Sequence, residues 1–81
     1  MPAEEHATEI YGESVTIELV EPRNSKRVVD VEHQDGRLWR VVVTSQGEID
    51  QIETTKRDGE LADLEQPDWL DDLFAQLARA A

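Results

Sequence analysis

Seven carboxylates and no cation lie between Asp58 and Asp72: Asp58, Glu60, Asp63, Glu65, Asp68, Asp71 and Asp72. Side chains of this type could hold a divalent cation, share a proton in acid–base chemistry, or meet a basic partner. Calcium is the first candidate, because it takes six to eight oxygen ligands. The spacing is not that of a calcium loop, which sets Asp or Asn at alternate positions around a central Gly and closes on Glu. Acid–base work by paired carboxylates needs a pocket that raises one pKa, and a thin domain has little room for a pocket besides its core. Three readings remain for the run: a solvated acidic surface, an acidic docking patch that mimics phosphate charge or meets a basic partner, and, last, weak binding of divalent ions without a built site.

No other constellation competes with it. His6 and His33 are far apart in sequence and there is no Cys, so no closed set of zinc ligands and no thiol nucleophile is in view. Ser14, Ser25 and Ser45 fall at strand or turn positions, none in a nucleophile-elbow sequence. The four Gly stand alone at 12, 36, 47 and 59, so no glycine-rich phosphate loop exists. The expectation is a protein that is not an enzyme, with no catalytic residue, no cofactor and no metal site.

Charge narrows the partners. The chain has 81 residues, with 19 acidic against 8 basic side chains, for a net charge of −11. Affinity for nucleic-acid phosphates comes from cations, so neither direct nucleic-acid binding nor an anionic membrane surface is expected. Arg23, Lys26, Arg27, Arg37 and Arg40 read as scattered surface charge. The longest apolar run, Val41 to Val43, is far short of the ~20 residues of a membrane span. The opening MPAEEHATEI is acidic and polar, unlike a signal peptide, so a cytoplasmic location is expected. An acidic, Lys-poor composition resembles that of cytosolic proteins from salt-accumulating halophiles, whose carboxylates keep the chain hydrated where salt screens repulsion. This is a resemblance of composition and implies no family.

The elements that must position these residues follow from periodicity. Residues 1–13 read as a flexible arm, with Ile10 and Tyr11 able to start a short edge strand. Val15, Ile17 and Leu19 alternate with Ser14, Thr16 and Glu18, which marks a half-buried strand ending at the turn Pro22–Ser25. Two more strands, 26–33 and 37–45, flank Gln34-Asp35-Gly36. A two-residue loop would mix apolar and charged residues on both faces. A three-residue loop pairs Val31 with Trp39, Val29 with Val41 and Asp30 with Arg40, and sorts the faces cleanly. Ser45-Gln46-Gly47 repeats the form and predicts a fourth strand, 48–55, with a bulge because Ile49 and Ile52 are three apart. Residues 60–65 read as one or two helical turns stopped by Pro67.

Apolar residues at 69, 70, 73, 74, 77, 78 and 81 form the stripe of an amphipathic helix, with Asp68, Asp71 and Asp72 at its start and Arg79 near its end. Acidic residues interleaved with Trp, Leu and Phe resemble acidic activation segments over about ten residues. The sheet, however, has nothing else to cover its inner face, so the helix is assigned to the core. The expected architecture is α+β in two layers: an antiparallel three- to four-stranded β-meander with the C-terminal helix packed on one face, residues 14–81 forming a single domain. The outer face then carries Val20, Val28, Leu38, Arg40 and Val42, more apolar than a solvated face, and reads as a partner or dimer face. The expected function is a non-catalytic protein–protein interaction module, homodimeric through that face. The alternative is an acidic decoy or regulator that occupies a nucleic-acid-binding partner.

Overall fold

The computed structural model describes residues 5–80: one six-stranded antiparallel sheet in the order β1-β2-β3-β4-β5-β6, then a helix. The strands are β1 (Glu5–Ile10), β2 (Glu13–Arg23), β3 (Lys26–His33), β4 (Arg37–Val43), β5 (Ile49–Arg57) and β6 (Glu60–Leu61), and the helix is α1 (Asp68–Ala80). The α+β meander is as expected, but the strand count is six, not three or four. The two added strands sit at the ends of the sheet, each closed by a turn whose two residues both have positive φ. Tyr11 (51°) and Gly12 (77°) turn β1 into β2, and Asp58 (53°) and Gly59 (84°) turn β5 into β6. Such paired left-handed residues make the two-residue hairpin turn that matches strand twist. Residues 1–4 of the arm expected to be flexible lie outside the described residues; Glu5–Ile10 pairs with β2.

The second added strand replaces the helical turns expected at 60–65. Lys56 and Arg57 pair with Leu61 and Glu60, and the N–H of Ala62 donates to Thr55 O at 3.1 Å. Pro67 disfavours a helical conformation in the residue before it. Residues 62–67 form an irregular linker, and α1 begins at Asp68.

The central hairpin has the register read from its pattern: Val31 opposite Trp39, Val29 opposite Val41, Asp30 opposite Arg40. Gly36, at φ 98°, supplies the left-handed residue of the three-residue loop. It also meets a second constraint. Its carbonyl accepts the N–H of Asp58 at 2.9 Å, and a Cβ at position 36 would overlap the Asp58 carboxylate. The tips of two hairpins are thus locked together.

β5 carries two bulges, one opposite Arg40/Val41 and one opposite Val42/Val43. Val41 pairs with Ile52 and Val43 with Ile49, so both isoleucines join the inner face despite their odd spacing. The helix lies on that face. Trp69, Leu70, Leu73 and Phe74 pack with Ile10, Val15, Val29, Val31, Trp39, Val41 and Val43 in one buried cluster. The rings of Trp39 and Trp69 meet edge to face, 5.3 Å between centroids. The N–H of the Trp39 indole donates to Glu65 O at 3.2 Å, which satisfies the buried indole nitrogen and anchors the linker.

Truncating the helix at its most buried point should be costly. Leu73→Ala is expected to lower unfolding free energy by about 2–5 kcal/mol, because the fully enclosed site leaves a cavity; a near-zero shift in denaturant midpoint would mean that α1 is not docked. Gly36→Ala should cost more than about 1 kcal/mol, from positive φ alone before the Asp58 overlap is counted.

Candidate functional site

Two surfaces hold the residues singled out in the sequence. On the outer sheet face, Val28, Asp30, Leu38, Arg40 and Val42 share one side by register, and Val20 is the extra residue of a β2 bulge between Leu19 and Glu21. Arg40 grips Asp30 through two contacts, Nε to Oδ1 at 2.8 Å and Nη2 to Oδ2 at 3.0 Å. That bond, followed by the charge of Asp30, raises the Arg40 pKa further. The apolar part of this face is smaller in solution than its composition suggests. Val28 and Val42 are 1 % and 2 % exposed and Leu38 is half-buried, leaving Val20 as the open apolar side chain of the set.

The same face consumes cations. Arg23 pairs with Glu53 and, at 2.9 Å, with Glu21, and Lys26 reaches Asp50 at 3.1 Å; on the opposite face Arg37, over the Trp39 ring, holds Asp35 at 2.8 Å. Asp50 and Glu53 are the extra residues of the two β5 bulges.

The acidic run lies elsewhere. Asp58 is in the β5–β6 turn, Glu60 on β6, Asp63 and Glu65 in the linker, and Asp68, Asp71 and Asp72 on the first turns of α1. All seven are exposed, and among the described residues none makes an ion pair. Even Arg57, opposite Glu60 across the hairpin, leaves it unbonded. Only neutral donors attend them: the Tyr11 hydroxyl donates to Asp72, and Gln66 Nε2 to Asp71 at 3.2 Å. The side chain of Arg79 lies outside the described residues.

Two large apolar side chains accompany the run. Leu61, 79 % exposed, stands beside Glu60, and Tyr11, 71 % exposed, bonds Asp72 at the other end. Sequence reasoning missed both. Leu61 falls in the segment that reads as helical turns, and Tyr11 in the one that reads as a flexible arm; the one local signal is Gly12 beside Tyr11.

His33 is the one buried polar side chain of the described residues, and it is fully engaged. Its Nε2 lies 2.8 Å from Glu13 Oε2, its Nδ1 accepts the N–H of Asp35 at 3.1 Å, and its ring tilts over Trp69 at 5.8 Å. That pattern assigns the ring proton of the neutral form to Nε2. His33 also lines a shallow depression of about 520 Å³, together with Thr8, Ser14, Thr16 and Glu32. No three His, Asp or Glu side chains converge as a metal cluster among the described residues. No helix among them is long and apolar enough to cross a membrane.

Comparison with protein-family models, with curated proteins and with solved structures found no match for this chain. Fold and surface therefore define it only as a class: a small α+β meander, sealed by one helix, with cross-strand ion pairs on its outer sheet face and an acidic flank that makes no ion pair among the described residues.

Both ends of the flank give measurable titrations. The bond to Asp72, reinforced by desolvation and by the charges of Asp72 and Asp68, raises the Tyr11 pKa above its usual value of about 10. Tyr11 is the sole tyrosine, so an ultraviolet titration reads it alone; Asp72→Asn should move the midpoint down, and an unchanged midpoint would show that the contact does not persist in solution. Desolvation works against the charged form of Asp35, but the Arg37 backbone N–H, its guanidinium and His33 outweigh it and hold the carboxyl low. A depressed folded-state pKa stabilises the fold above the unfolded value of about 4 and ceases to do so as pH falls through the folded one. Asp35→Asn should therefore be less stable than wild type at neutral pH, with the difference closing below about pH 4; a constant gap across that range would count against the assignment.

Proposed function

We propose that the chain is a non-catalytic protein–protein interaction module that docks a cationic surface of its partner through the acidic flank, 58–72, with Leu61 and Tyr11 as apolar anchors. One observation carries this reading: among the described residues the seven carboxylates meet no cation while Arg23, Lys26, Arg37 and Arg40 are each taken by other acids. Unpaired carboxylates around exposed anchors supply steering and a centre of contact together, since interface energy concentrates in a few side chains, often aromatic. His33 supports the non-catalytic part, because both its ring nitrogens are bound within the protein. The same flank would suit a partner whose cations otherwise hold nucleic-acid phosphates, and the chain would then act as an acidic regulator of that partner. A second copy of the chain is the weaker partner at low salt, since each copy carries −11; a two-fold dimer through the outer face, around Val20 and Leu38, belongs to high salt. A cytoplasmic place in a salt-rich cell is part of the same proposal and rests on composition.

The test is backbone-amide NMR with a Lys/Arg-rich peptide that also carries Leu or Phe. Shifts confined to residues 58–72 and Tyr11, lost in an Asp58→Asn, Glu60→Gln, Asp63→Asn, Glu65→Gln variant, are expected. Shifts centred on Val20, Leu38 and Arg40 instead, or binding unaffected by the substitutions, would remove the flank from the function.

A further inference from the structure

Val28 on β3 and Val42 on β4 face away from α1, yet they are as buried as the core. Neither belongs to the cluster under the helix. The cover therefore comes from the sheet's own side chains, and the register shows which ones. Arg23 lies opposite Lys26, on the outer face, at the far end of β2. Its partner Glu53 is on β5, with β3 and β4 between them. On the strand lattice, a line from Arg23 to Glu53 passes over Val28 and then Val42. Arg23 also bonds Glu21, the cross-strand neighbour of Val28. Lys26 crosses β4 in the same way to reach Asp50. Both acidic anchors are bulge residues of β5, a position that adds a side chain to one face without shifting the apolar set on the other.

We propose that these two cross-strand ion pairs are a strap that holds an apolar sheet face shut and opens when its charges are screened or removed. The inference concerns the face apart from the acidic flank and does not depend on the function proposed above. The strap is weakly held. Its four side chains are 43 % (Arg23), 23 % (Glu53), 40 % (Lys26) and 41 % (Asp50) exposed, and ion pairs in such a setting are weak and sensitive to salt. Once it opens, Val28 and Val42 join Val20 and Leu38 in one apolar surface, of the kind that marks an interaction site when exposed.

The experiment is binding of a neutral hydrophobic dye to the full chain, with far-ultraviolet circular dichroism as the control for folding. Arg23→Thr with Lys26→Thr should raise dye binding several-fold at low salt with the spectrum unchanged. Asp50→Asn with Glu53→Gln, which cuts the strap at its other anchors, should give the same gain. Adding Val28→Thr and Val42→Thr, close in shape but polar, should abolish it. Wild type, kept dilute enough to sediment as a monomer, should approach the cut variants in molar salt, measured against wild type carrying the two Val→Thr changes, which needs no strap variant to fold. No gain from either cut, a gain from only one, a gain that survives the Val→Thr changes, or a wild type indifferent to salt would each overturn the strap.

Discussion

The contact between Trp39 and Trp69 is the constraint on which the rest of the fold depends. Trp39 sits mid-strand in β4, fully buried, its ring edge-on to Trp69 and its indole N–H bonded to Glu65 O. Three elements meet there: the sheet, the linker and the helix. The bond to the Glu65 carbonyl ties the linker between β6 and the helix to the sheet. Trp69 in turn covers His33, which ties Glu13 and Asp35 to the same corner. A chain of this size buries a modest share of its surface, so two large rings in contact decide where the second layer lies.

The β5 bulges solve a problem that a regular strand could not. Ile49 and Ile52 are three apart, yet both are drawn into the core. The extra residues, Asp50 and Glu53, are at the same stroke turned into partners for Lys26 and Arg23. One irregularity thus serves an apolar face and a charged one. Bulges also twist a sheet edge away from further pairing, which suits β5, paired with β6 only near its end.

Charge is segregated in consequence. Arg23, Lys26, Arg37 and Arg40 are held by acids of the strands and their loops, whereas the acids between the last hairpin and the helix make no ion pair among the described residues. Net charge states only that the molecule is acidic; the pairing states where.

Much of the fold was legible in the sequence. Alternation of Val29, Val31, Trp39, Val41 and Val43 sets the register of the central hairpin, because only one loop length sorts both faces, and the spacing of Ile49 and Ile52 demands a bulge. The helix follows from its apolar stripe. The outer strands were not legible: Glu5–Ile10 has little apolar content, and a two-residue strand has no period to read. What the sequence by itself determined is local, namely periodicity, turn glycines and the sign of the charge. What only the tertiary structure decided is long-range: that Val28 and Val42 are covered, that Arg23 reaches Glu53 across two strands, and that Leu61 and Tyr11 stand open beside the acids. The physical reason is that exposure and ion pairing depend on which side chains arrive from other strands, and no window along the chain contains that.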